Sequence, residues 1–136
     1  MLLHLKIAGM SMLCLGLLHG VFPKRFHWKT DLAKLQDINR QIFWVHCFFI
    51  CVVLWLMGSL CFFRPEALLA GGELAQLLAG GMSFFWFLRL LAQLFVYDQK
   101  LWRGKTLETF VHIVFTLLWS YYSSLFLLLF LKLNVS

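Results

Sequence analysis

The chain has 136 residues, 62% of them hydrophobic and 13% charged, with a mean hydropathy of +0.82. A water-soluble domain carries about 45–50% apolar and about 25% charged residues, so this composition belongs to a small membrane protein of one domain. The formal charge of +6 raises nucleic acid as a partner, but the basic residues cluster between apolar runs, where topology accounts for them, and nucleic-acid binding is set aside.

The first apolar run covers residues 2–22 and is closed by Pro23-Lys24-Arg25. It is read as a retained helix rather than a cleaved leader. A strongly basic segment follows it, and no small-x-small cleavage site precedes Pro23. Gly16-Leu17-Leu18-His19-Gly20 is a G-x-x-x-G, which would let a neighbouring backbone come close. The basic segment 23–40 holds Phe26, Trp28 and an amphipathic stretch at 31–38, expected at the headgroup surface. Asn39-Arg40-Gln41 then leads into the second run, residues 41–63, which carries His46 and stops at Arg64-Pro65. A third run covers 74–97. After a second basic loop at 98–105, a fourth covers 106–131.

Each run can cross hydrocarbon as a helix, which takes roughly 20 residues, and none alternates as a barrel strand must. The expected fold is therefore all-α, an integral membrane four-helix bundle. Lys24, Arg25, Lys29, Lys34, Arg40, Lys100, Arg103 and Lys105 lie in two loops on one side, against Lys6, Arg64 and Lys132 on the other. That imbalance puts the loops in the cytoplasm and both termini on the non-cytoplasmic side of an inner (plasma) membrane. The cysteines Cys14, Cys47, Cys51 and Cys61 all fall inside apolar runs, lack zinc-site spacing and are read as packing residues.

Polar residues then mark a layer. At 1.5 Å per helical residue, His46 lies ~9 Å past Arg40, His112 ~10 Å past Lys105, His19 ~8 Å before Lys24 and Gln93 ~10 Å before Lys100. Four helices thus deliver one polar side chain each to a similar depth. On the third run Trp86, Arg89, Gln93, Tyr97 and Lys100 share a face, and on the fourth Glu108, Thr109, His112, Thr116, Ser120 and Ser123 do. Arg89, ~16 Å from Lys100 and so close to mid-bilayer, needs a partner there.

This layer suggests a membrane-embedded site for redox or lipid-modifying chemistry, open to the cytoplasmic leaflet. His46 and His112 would be ligands or acid–base groups, with His19 third in a haem b or transition-metal set. Arg89 would anchor an anion or cofactor carboxylate, Gln93 would orient it, and Glu108, one turn from His112, would tune the imidazole or share its acid–base work. The alternative is a non-catalytic accessory subunit packing into a larger complex. The partners expected are membrane lipid and, in the alternative, other membrane subunits. Phosphate-loop, dinucleotide, serine-hydrolase and zinc-protease signatures are all absent from the sequence.

Asn39-Arg40-Gln41…Trp44-Val45-His46 and Trp102-x-Gly104-Lys105-x-x-Glu108-Thr109-x-x-His112 resemble a pattern in small, uncharacterised four-span bacterial membrane proteins. The resemblance covers most of the chain. It implies the four-span architecture and brings with it no activity and no functional residue.

Overall fold

The computed structural model describes residues 1–25, 28–98, 100 and 102–135, and among these every regular element is a helix. They are α1 (Leu2–Leu18), α2 (Phe22–Arg25), α3 (Trp28–Leu32), α4 (Asp37–Phe63), α5 (Pro65–Leu69), α6 (Glu73–Phe95) and α7 (Thr106–Val135). α4, α6 and α7 are long and apolar enough to cross a membrane, whereas α1 is an apolar helix of 17 residues. The chain divides into two compact units, Leu2–Pro65 and Glu66–Ser136, each built around one helical hairpin.

In the first unit α1 packs antiparallel on α4. Leu5, Ala8, Gly9, Met12, Leu15 and Gly16 form the buried stripe of α1, facing Leu54, Gly58 and Cys61 of α4. Alternating steps of three and four residues keep one helix face on its neighbour. Two glycines set the spacing. A Cβ on Gly9 would lie 2.6 Å from the Phe62 amide nitrogen and 2.8 Å from the Gly58 carbonyl, and one on Gly16 would run into the Trp55 indole. Gly20 takes no part in this contact, because it lies beyond the end of α1 and, among the described residues, the close neighbour of its would-be Cβ is Leu17 of its own turn. The expected Gly16/Gly20 motif is thus replaced by Gly9 and Gly16, two helical turns apart.

α1 also stops four residues short of the expected Phe22. Gly20 N–H donates to Leu17 O and Val21 N–H to Leu18 O, tight bonds that end the helix as a turn. At the other end of the connection α4 begins at Asp37, ahead of the expected residue 41. The stretch 31–38, expected as one amphipathic surface segment, is divided between the end of α3, a turn and the start of α4. Trp28 packs edge-on against Phe43 and Trp44, with ring centroids 4.9 and 6.0 Å apart.

In the second unit Gly71 and Gly72, both at positive φ (83° and 89°), turn the chain from α5 into α6. α6 buries Ala75, Ala79, Met82, Ser83, Trp86 and Gln93 against Trp119, Tyr122, Phe126, Leu129 and Leu133 of α7. Gln76 Nε2 donates to Leu133 O (2.6 Å) and Ser83 Oγ to Ser123 O (3.2 Å), which fixes the antiparallel register. Trp86 stacks on Trp119 with ring centroids 5.0 Å apart. Large apolar side chains such as Phe48, Leu56, Leu77, Phe84, Leu117 and Leu128 are exposed. A water-soluble surface would hide them, and a lipid-facing one has no reason to.

Candidate functional site

The second hairpin brings three of the sequence-predicted residues together. Gln93 is 6% exposed on α6, two residues before Phe95, and His112 is half-buried on α7, six residues after Thr106. Gln93 therefore lies ~3 Å, and His112 ~9 Å, inside the end of its helix. Gln93 Nε2 and His112 Nδ1 stand 2.8 Å apart. The Gln93 Oε1 faces two further groups, Arg89 Nη1 at 3.5 Å and Trp119 Nε1 at 3.4 Å.

This arrangement decides the protonation of His112. Guanidinium and indole nitrogens only donate, so the amide oxygen must point at them and the amide NH2 at the imidazole. His112 Nδ1 is then the acceptor, and the neutral ring carries its proton on Nε2. His19 and His46 are the opposite case. Their Nδ1 atoms lie 2.9 and 2.8 Å from the carbonyls of Leu15 and Ile42 in their own helices, so Nδ1 carries the hydrogen and Nε2 has the lone pair. Long-range 15N–1H spectra of histidine-labelled protein, assigned by single His→Asn variants, should show Nδ1–H for His19 and His46 and Nε2–H for His112. An Nδ1–H form at His112 would contradict the Gln93 geometry.

Arg89 is the charged centre of the cluster. Its guanidinium lies 5.0 Å from the Trp119 ring and 5.6 Å from the Tyr97 ring, and Nη2 reaches the Tyr97 hydroxyl at 3.4 Å. Gln93 and Tyr97 are four and eight residues further along, so the side chain runs toward the connection carrying Lys100, Arg103 and Lys105. This is how a cation on a membrane helix reaches polar surroundings. α6 ends at Phe95, so Arg89 sits ~9 Å from the helix end rather than at the greater depth that an unbroken helix to Lys100 implies. The ion pairs among the described residues are Lys34–Asp31 and Arg40–Asp37, and no carboxylate stands at Arg89.

A local turn completes the site. Gly104 has φ of 81° between Trp102 and Lys105, and Lys105 N–H donates to Trp102 O at 3.1 Å. Positive φ at the third position of such a turn favours glycine. Thr109 Oγ donates to the same Trp102 carbonyl at 2.7 Å. Held at its backbone twice, Trp102 lays its ring on His112, with centroids 4.4 Å apart and planes 9° from parallel. Trp119 was not singled out from the sequence, and Trp102 entered only as part of the quoted pattern, with no role attached. Trp119 is two turns beyond His112 on one face, a signal that was available. Trp102 precedes the helix, and only the turn brings it back.

The other sequence-predicted residues stand elsewhere. Glu108 is half-buried in the first turn of α7, one turn before His112. His19 and His46 belong to the first hairpin, where Gly16 against Trp55 sets the register. By that register His19 is level with about residue 52 and His46 lies ~9 Å further along α4. Among the described residues no three of His, Cys, Asp and Glu gather as a metal site needs. Comparison with protein-family models, with curated proteins and with solved structures finds no match for this chain.

Proposed function

We propose that the chain is a multi-pass protein of the inner membrane that binds an anionic lipid headgroup between α6 and α7 for lipid-modifying chemistry at the cytoplasmic leaflet. Four crossing helices, with both termini on the non-cytoplasmic side, complete this reading. Its support is the eight-to-three distribution of basic residues and a first apolar run long enough to reach the lower limit for a span.

The observation that carries the site is Arg89. It is half-buried, faces aromatic rings and an amide, and has no carboxylate partner among the described residues. A guanidinium so placed retains N–H donors for the paired oxygens of a phosphate. His112 adds an Nε2–H that can give or take a proton beside that anion, Gln93 holds both groups, and Glu108 tunes the imidazole. The basic connection would draw anionic headgroups to this end of the hairpin. A redox site with haem or metal on His19, His46 and His112 has weaker support. Ligation through His112 Nε2 leaves Nδ1 facing an N–H donor, the reverse of the usual ligand arrangement.

The test uses full-length protein in a neutral detergent and the quenching of its tryptophans by a brominated phosphatidylglycerol. Inorganic phosphate and brominated phosphatidylcholine serve as comparisons. Saturable binding of phosphatidylglycerol, weakened about tenfold or more by Arg89→Gln, is expected, on the scale of one charge-assisted contact of 1.5–3 kcal/mol. Competition by inorganic phosphate alone would identify a soluble anion as the ligand. Equal behaviour of wild type and Arg89→Gln would remove the headgroup site and leave the accessory-subunit reading in front.

A further inference from the structure

We infer that anion binding at Arg89 is coupled to a proton on His112, with the Gln93 side-chain amide acting as the swivel between them. The inference rests on the headgroup reading of the same site.

The coupling follows from donor and acceptor counts. With His112 neutral, the Gln93 amide satisfies every neighbour, giving its NH2 to Nδ1 and its oxygen to Arg89 and Trp119. A proton on Nδ1 turns the imidazole into a donor on both nitrogens. The 2.8 Å contact then opposes two N–H groups and cannot persist. Turning the amide over restores it, because the oxygen then accepts from Nδ1–H. The same rotation points the NH2 at the Arg89 guanidinium and the Trp119 indole, which are donors themselves. Arg89 loses its amide acceptor and gains a like-polarity neighbour. Its free N–H groups then require another acceptor, and an anion supplies one.

The bond lengths favour this exchange. The contact to His112 is short, while those to Arg89 and Trp119 are 3.5 and 3.4 Å, so the amide gives up two weak bonds to keep one strong one. Parallel stacking on Trp102 stabilises the imidazolium through the ring face. The other charged or titratable groups at this end of the hairpin are Arg89 and Tyr97 from the α6 side, Glu108 on the same helix, and Asp98, Lys100, Arg103 and Lys105 in the connection. A phosphate bound at Arg89 would stand beside the His112 imidazole, where its charge attracts the ring's second proton. Proton and anion therefore promote each other's binding, as linkage requires.

Phosphatidylglycerol suits the test because its phosphodiester charge stays fixed while histidine titrates, between about pH 5 and about pH 8. Wild-type protein is expected to bind it roughly tenfold more tightly at the lower pH, and the Gln93→Met variant to lose most of that pH dependence while keeping His112 titratable. A measurement that needs no variant follows the Trp119 indole N–H and His112 imidazole resonances in labelled wild-type protein. They should shift with one midpoint as Trp119 loses its acceptor. If His112 titrates and the indole resonance stays still, or Gln93→Met keeps the full pH dependence, the swivel is wrong. Arg89-dependent binding that is equal at both pH values also overturns the coupling but leaves the headgroup site standing. Absence of Arg89-dependent binding at either pH overturns both.

Discussion

Gly9→Ala is expected to destabilise the first hairpin by about 3 kcal/mol, the upper end of ordinary overpacking effects, because the new methyl meets backbone atoms that no rotamer change can move. The Cβ would stand 2.6 Å from the Phe62 nitrogen and 2.8 Å from the Gly58 oxygen. Relief would require α1 and α4 to separate, and the interface above and below would lose its fit. Gly81→Ala is the natural comparison. Gly81 lies inside α6 with open space around its Cβ position, so alanine there should be neutral or stabilising by up to about 1 kcal/mol through helix propensity. Thermal midpoints in detergent would separate the two. A second reading comes from Cys61, which has 0% exposure on the α4 face of the interface. With Cys14, Cys47 and Cys51 replaced by serine, its thiol should label slowly in an otherwise native hairpin and much faster with Gly9→Ala. Equal stability of Gly9→Ala and Gly81→Ala would show that the helices cross elsewhere.

Gln93→Leu is expected to lower stability by about 3 kcal/mol, although leucine is close to glutamine in volume and more apolar. The substitution leaves His112 Nδ1, the Trp119 indole N–H and one side of the Arg89 guanidinium without their amide partner. Orphaned polar groups in a low-dielectric setting are worse than the bonds they lost. Arg89→Met should cost less, since it removes the charge along with its need for partners. In the Arg89→Met background, Gln93→Leu should then cost clearly less than it does alone. The difference, read as a double-mutant cycle on denaturation midpoints, measures the coupling through the amide. Strict additivity would mean that the 3.5 Å contact carries no energy.

The helices were legible in the sequence because hydrocarbon imposes long apolar runs, and α6 and α7 begin within a residue of where those runs predict. Their far ends were harder to place. Lys132 and Asn134 end the apolar run at Leu131, but α7 continues to Val135, with Asn134 Nδ2 donating to its own helix at Phe130 O. The depth arithmetic for His19 failed for a related reason. It assumed helix from His19 to Lys24, where tight turn bonds end α1 instead. The meeting of Gln93 and His112 was foreseeable in that both stand near the ends of helices that flank one short connection, although α6 ends two residues past Gln93 and α7 begins six before His112. The glycine crossing was misplaced because G-x-x-x-G spaces its glycines four residues apart, and the two that set this crossing, Gly9 and Gly16, are seven apart. The pattern Trp102-x-Gly104-…-Thr109-x-x-His112 turns out to be one mechanical piece, a glycine turn and a threonine bond that set a tryptophan on a histidine.

That each helical hairpin joins neighbouring stretches of chain has a consequence for how the protein is made. Every residue of the α1–α4 interface lies before Pro65, so that pairing can be complete on the ribosome while α6 and α7 are still unsynthesised. The second pairing likewise closes over a connection of only ten residues, 96–105. Such short loops cost little entropy and close quickly. Biogenesis can therefore proceed as two successive local events, and a defect such as Gly9→Ala should appear early, while the nascent chain is still attached.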